Sequence, residues 1–210
     1  MAGIRGGLAA LALVLIPAVG SAQYERRLTL LGGVNLGTVG GQGAEDFGTR
    51  SMRVGPIGGL GADLYFRPRV AFAPELFLSI KGVKGSTSEG SSNLEMHYLE
   101  IPLLLKYALP VGGDQLHPHL FAGPALAIRT TCTVEVTQPV SHRVLACHDV
   151  FLNKTGDVSF VAGGDLRVGV LLLSARYDLG LGNLNGEPGG APIRSRTLSL
   201  LAGVSLLLRR

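Results

Sequence analysis

Along most of the chain, apolar residues fall on every second position. Leu99–Leu109 reads LEIPLLLKYAL, setting Leu99, Ile101, Leu103, Leu105, Tyr107 and Leu109 on one face and Glu100, Pro102, Leu104 and Lys106 on the other. Period two is the signature of a β-strand, whose side chains alternate between the two faces of a sheet. Val170–Leu181 repeats it, with Leu171, Leu173, Ala175, Tyr177, Leu179 and Leu181 against Ser174, Arg176 and Asp178. Val70–Lys81 and Arg196–Leu208 do the same, and Gly-richer versions occupy Leu28–Thr38, Val54–Phe66, Pro118–Arg129 and Val158–Leu166. The pattern predicts eight strands and no helix, since no segment carries an apolar stripe at helical spacing.

The predicted strands run to about 9–13 residues, longer than the 5–6 usual in water-soluble sheets and matched to a tilted crossing of a bilayer. The segments between them alternate in size. Val39–Arg53, Gly82–Asn93, Thr130–Asp157 and Gly182–Ser195 are long, whereas Arg67–Arg69, Pro110–His117 and Arg167–Gly169 are short. Long and short connections in alternation are expected of an up-and-down barrel with turns at one rim and surface loops at the other. The predicted fold is an all-β, eight-stranded, antiparallel transmembrane barrel, with both chain ends at the short-turn rim.

If the apolar faces look outward, the inner faces carry Asp63, Glu75, Lys81, Glu100, Lys106, Arg129, Asp165, Arg176 and Asp178. Acids and bases are nearly balanced, which suits charges that must pair when removed from water. Eight strands leave an interior that side chains fill. The expected lumen is therefore plugged by a charge network rather than open as a channel.

The first residues stand apart. Arg5 precedes the apolar run Leu8–Ile16, then Pro17 and the small residues Gly20-Ser21-Ala22. This reads as a secretory signal peptide over residues 1–22, cleaved near Ala22 to leave the barrel domain at 23–210. Composition agrees with an exported, lipid-facing chain: of 210 residues 46% are hydrophobic and only 16% charged, too few for a disordered chain. The formal net charge of +4 is slight. No Lys/Arg cluster with interleaved aromatics points to nucleic acid, so no such partner is expected.

Tyr98–Tyr107 (YLEIPLLLKY) resembles a strand of the outer-membrane β-barrel domain family that includes PorT-like proteins. Pro118–Pro124, Ala175–Leu181 and Thr197–Val204 are similar to that family's following and closing strands, so the resemblance spans nearly all of 23–210. It implies an eight-stranded barrel in a bacterial outer membrane and little about task. The chain departs from such barrels in ending Leu208-Arg209-Arg210 rather than on an aromatic residue. Tyr65, Phe66, Tyr107 and Tyr177 are the candidates for aromatic girdles.

Candidate chemistry is sparse. Cys132 and Cys147, both in the longest loop of an exported chain, are expected to form a disulfide. A zinc site adding His142 and His148 is the weaker reading. His117 and His119 lie two apart with no third ligand near in sequence. His97, at the outward end of its strand after Ser86, Ser88, Ser91 and Ser92, is the one start of a hydrolase site, but alternation turns it toward lipid. No enzyme activity, metal or cofactor is expected. The expected role is structural, surface-interacting or accessory to export, in a monomer bounded by outer-membrane lipid. Loop 130–157 is the expected surface for an extracellular or envelope protein. Alternatives are a small pore, a lipid-modifying enzyme, or a soluble lipocalin-like barrel.

Overall fold

The computed structural model describes residues 25–43, 49–87, 90–111, 116–138, 141–147, 156–184 and 189–208. The proposed signal peptide lies outside them. The described residues form β1 (Arg26–Gly40), β2 (Thr49–Arg67), β3 (Val70–Thr87), β4 (Gly90–Ala108), β5 (Leu116–Gln138), β6 (Ser141–Ala146), β7 (Gly156–Val168), β8 (Leu171–Gly180) and β9 (Arg194–Leu207). Eight of these close a ring: β1 to β5 in sequence order, then β7, β8 and β9, with β9 returning to β1. Every pairing is antiparallel.

Register fixes the shape. Starting at Arg26, successive partners are Leu64, Phe72, Leu105, Ala122, Ala162, Tyr177, Leu198 and finally Leu36. The path re-enters β1 at Leu36, ten residues beyond Arg26. With the usual strand rise and spacing, that stagger tilts the strands about 40° from the barrel axis. Close approaches at the closing seam use glycine: a Cβ on Gly33 would collide with Leu200 O, and one on Gly203 with Leu30 O. Gly169, at φ 61°, makes the tight β7–β8 turn in the left-handed region.

The outward faces carry the apolar residues. Leu78 is 68% exposed and Leu105 56%, while the inner neighbours Phe77 and Leu104 are 1% and 0% exposed. This is the reverse of a soluble barrel. Outward Leu99 to Tyr107 covers about 20–25 Å of the axis, the height of a lipid-facing band.

The ring has the expected eight strands, and the extent of three connections needs correction. β5 continues to Gln138 and folds back as β6, a ninth strand outside the ring and inside the expected loop Thr130–Asp157. The expected loop Gly82–Asn93 is mostly hairpin, with Lys84 opposite Asn93 and Thr87 opposite Gly90. β2 likewise begins at Thr49 rather than Val54. The reason is a reversal of sidedness along β3, β4 and β5. In β4, outward residues are apolar from Tyr107 to Leu99 and polar at His97, Glu95 and Asn93. Inward residues change the opposite way, from Lys106 and Glu100 to Tyr98, Met96 and Leu94. Beyond the lipid band the outer face meets water, so the alternation persists with its sense exchanged. A test keyed to one sense stops at the boundary.

Spin labels placed at Leu103 and Leu104 in reconstituted protein test the sidedness. Oxygen dissolved in the lipid should relax the Leu103 label strongly and the Leu104 label weakly. Equal relaxation would contradict the inside-out wall.

Candidate functional site

Alternation directs the charged side chains of the ring into the lumen, where they meet across it. β2 supplies Asp63; β3, Glu75 and Lys81; β4, Glu100 and Lys106. β5 supplies Arg129, β7 Asp165, and β8 Arg176 and Asp178. Toward the rim that holds the β1 start, Lys106 Nζ lies 3.0 Å from Asp63 Oδ1, 2.9 Å from Asp165 Oδ2 and 3.8 Å from Glu75 Oε1. Arg176 Nη1 donates to Glu75 Oε2 at 2.6 Å and Nη2 to Ser174 Oγ at 3.2 Å. Higher in the lumen, Lys81 Nζ lies 2.9 Å from Glu100 Oε1 and donates to Asp178 Oδ2 at 2.6 Å. β3 and β8 stand on opposite sides of the ring, so Glu75–Arg176 and Lys81–Asp178 cross it fully. Arg129 lies opposite Tyr98, above these layers.

Aromatic faces separate and support the cations. Arg176 Cζ lies 5.0 Å from the Phe77 ring centre and 5.2 Å from that of Phe121, with Lys106 Nζ 5.7 Å from Phe121 and Lys81 Nζ 5.8 Å from Tyr98. Guanidinium between two ring faces gains electrostatically where water is excluded. A neutral tie joins β1 and β9 to β3: Asn35 Nδ2 donates to Ser79 Oγ at 2.8 Å, and Ser199 Oγ to Asn35 Oδ1 at 2.6 Å. Sequence reasoning missed Phe77, although it stands between Glu75 and Ser79 on the same inner face. It also missed Phe121 and Asn35, whose residue types alone carry no signal of the lumen.

Above the charges the lumen is apolar. Val39, Val83, Leu94, Met96, Tyr98, Val134 and Cys147 pack with Leu184 and Ile193 from the β8–β9 connection. Leu184 N–H donates to Ile193 O at 2.8 Å, and Ile193 N–H to Asn183 Oδ1 at 2.9 Å, fixing that connection over the barrel mouth. Cys132 and Cys147 are disulfide-bonded with Cα atoms 5.4 Å apart, fastening the end of β6 to β5. At the opposite rim, Tyr65 turns inward to hydrogen-bond His119 Nε2 at 3.0 Å, correcting its place in an outward girdle; Phe66, Tyr107 and Tyr177 are exposed on the wall.

The remaining candidates separate. His97 faces outward, its Nε2 2.7 Å from Glu95 Oε1, and Arg53 crosses Gly82 to pair with the same Glu95 carboxylate. Among the described residues no hydroxyl bonds the His97 ring; Thr130 Oγ1 donates to the His97 carbonyl at 3.3 Å instead. Ser86 donates to Thr49 O. Cys132 and Cys147 are consumed by their disulfide; His142 sits exposed on β6, and His148 and Ser88 lie outside the described residues. Among the described residues no three His, Cys, Asp or Glu side chains are arranged to hold a metal.

Two outcomes follow from this geometry. Lys106→Met leaves Asp63 and Asp165 without their cation, while Glu75 keeps Arg176, and should cost about 3–5 kcal/mol in urea unfolding of the reconstituted barrel. Asp63→Asn should cost less, because Lys106 keeps Asp165. Replacing both Cys132 and Cys147 by Ser removes a tie across a sequence separation of 15. It should destabilise the β6 hairpin by about 3 kcal/mol on a chain-entropy account. Limited proteolysis should then cut near β6 while the folded gel mobility of the unboiled ring persists.

Residues 21–186 match the family model described as outer membrane protein beta-barrel domain. No curated protein sequence matches. Among solved structures, the chain is similar to Ail, the attachment invasion locus protein of Yersinia pestis, at 10% identity, 87% of this chain, 100% of that chain and a TM-score of 0.43. The outer membrane protein OprG from Pseudomonas aeruginosa gives 11% identity, 89% and 97% coverage and 0.45. The outer membrane enzyme PagL gives 13%, 85% and 98%, and 0.41. Likeness at this level transfers no task.

Proposed function

The chain belongs to the outer membrane protein beta-barrel domain family and is a protein of the bacterial outer membrane, and from that premise we propose that it is a closed, non-conducting barrel whose task is carried at the cell surface. The observation behind this reading is the change of sidedness along β3, β4 and β5. Below it, paired charges fill the lumen; above it, an apolar plug fills the mouth while a polar sheet of β2 to β6 stands clear of lipid. Such a sheet is a scaffold for surface interaction. The protein partner engages the segment 130–157 in this reading, and the barrel works as a monomer without enzymatic activity. The finer PorT-like assignment, with an export-accessory role as its counterpart, rests on Tyr98–Tyr107.

The non-enzymatic reading is supported by the placement of His97 on the outward face, its Nε2 turned to a Glu95 carboxylate that Arg53 also holds. Planar-bilayer recording tests the main claim. The purified, folded barrel should give no discrete conductance steps, and reproducible steps would establish a pore. Lipid A extracted from overexpressing cells should be unchanged in mass; an altered species that disappears with His97→Ala would establish the enzyme instead.

A further inference from the structure

Among the described residues the outward wall is free of charge through the lipid band, and at the short-turn rim charge returns in one sector. Arg26 follows on from outward Leu28, and lies opposite Leu64. A register shift between Tyr65 and Arg67 puts Arg67 opposite Val70, beside exposed Phe66. Arg69 is exposed in the following turn, its carbonyl accepting the Ala108 N–H at 2.8 Å, so that its position is held against the foot of β4 beside exposed Tyr107. No acidic side chain pairs with Arg26, Arg67 or Arg69 among the described residues; Glu25 is engaged by Arg27 and Arg167. Among the described residues around the rest of this rim, Leu116, Val168, Val170, Leu171, Leu206 and Leu208 are exposed and uncharged.

We propose that Arg26, Arg67 and Arg69, with Phe66 and Tyr107, form a binding site for the phosphodiester headgroup of an anionic phospholipid in the periplasmic leaflet. Short turns and both chain ends place this rim on the periplasmic side. Three guanidiniums at the edge of an apolar wall lay their stems along it and aim their heads at headgroup depth. Planar guanidinium forks match phosphate oxygens, and the flanking rings anchor the same depth. Among the described residues the outward charge at this rim is confined to the β1–β3 sector, which distinguishes a site from a uniform basic belt. The segments that carry it are the β1 start and the β2–β3 turn, neither of which takes part in the lumen network.

The test reconstitutes the full chain with equal phosphatidylglycerol and phosphatidylcholine, extracts it in mild detergent and counts retained lipid by native mass spectrometry. Wild type should keep phosphatidylglycerol in preference to phosphatidylcholine. At a factor of about five per interfacial basic residue, Arg26→Gln/Arg67→Gln/Arg69→Gln should lower that preference about a hundredfold. Gel mobility of the unboiled variant confirms that it is folded, and the single Arg67→Gln replacement gives a smaller loss should the triple variant fail to fold. Equal retention of the two lipids by wild type, or unchanged preference in the folded variants, overturns the site. Displacement of the retained lipid by millimolar inorganic phosphate would show a site for free phosphate and overturn the lipid assignment; retention in its presence supports it.

Discussion

The rest of the structure depends on the absence of any hydrogen-bonding partner for the backbone in hydrocarbon. Each N–H and C=O in the band must be met by a neighbouring strand, and only a ring meets them all without an edge. β9 returning to β1 over Arg27–Gly40 is therefore the pairing on which the other seven rely. Closure with eight strands sets a narrow interior, and alternation then assigns every second side chain to it. A residue sent inward can meet partners from the far wall. Lys81 reaches Asp178, 97 residues away in sequence, and Glu75 reaches Arg176, 101 residues away. Removing each of these charges from water is costly. Mutual attraction offsets that because Lys81 and Lys106 each have two or three carboxylates around them and Arg176 has a carboxylate and two aromatic faces.

The same alternation has a different outcome once the strands leave the lipid. Between Tyr98 and Leu99 on β4, and near Arg129 on β5, the solvent on the outer face changes from hydrocarbon to water, and the residue types exchange faces without a break in the strand. Thr130 is the extra residue there, since Tyr98 pairs with Arg129 and His97 with Thr131. A bulge at that point increases local twist and re-aims the upper β5 so that Cys132 and Val134 face the plug. The barrel is thus two proteins along one set of strands: an inside-out wall below, and above it a sheet with an ordinary apolar inner face.

This boundary explains what was legible in the sequence. The lower half was readable because long apolar alternation such as Leu99–Tyr107 has few explanations other than a lipid-facing strand. The same reading placed Glu100 and Lys106 on the inner face, though it could not say which acid each cation would meet, because that follows from the ten-residue stagger rather than from local spacing. The upper half carries the composition of a loop. Ser86, Ser91 and Asn93 are common loop residues, and their strand character shows only against Val83 and Leu94 on the other face. Residue type alone points Tyr65 outward, whereas its alternation with Leu64 and Phe66 turns it inward to His119.

The position of the disulfide follows from the same division. Strands in the ring have partners on both sides and are enclosed by lipid, so they need no covalent tie. β6 is an edge strand that pairs with β5 over six residues, in water, while β5 has β4 on its other side. A tie is needed at the place where chain leaves the pairing, and Cys147 directly follows the last β6 residue. Its sulfur is also buried within the apolar plug, packed with residues of β3 and β4. One bond therefore couples the stability of the exposed hairpin to the packing that closes the barrel mouth, so the surface sheet and the plug should loosen together rather than independently.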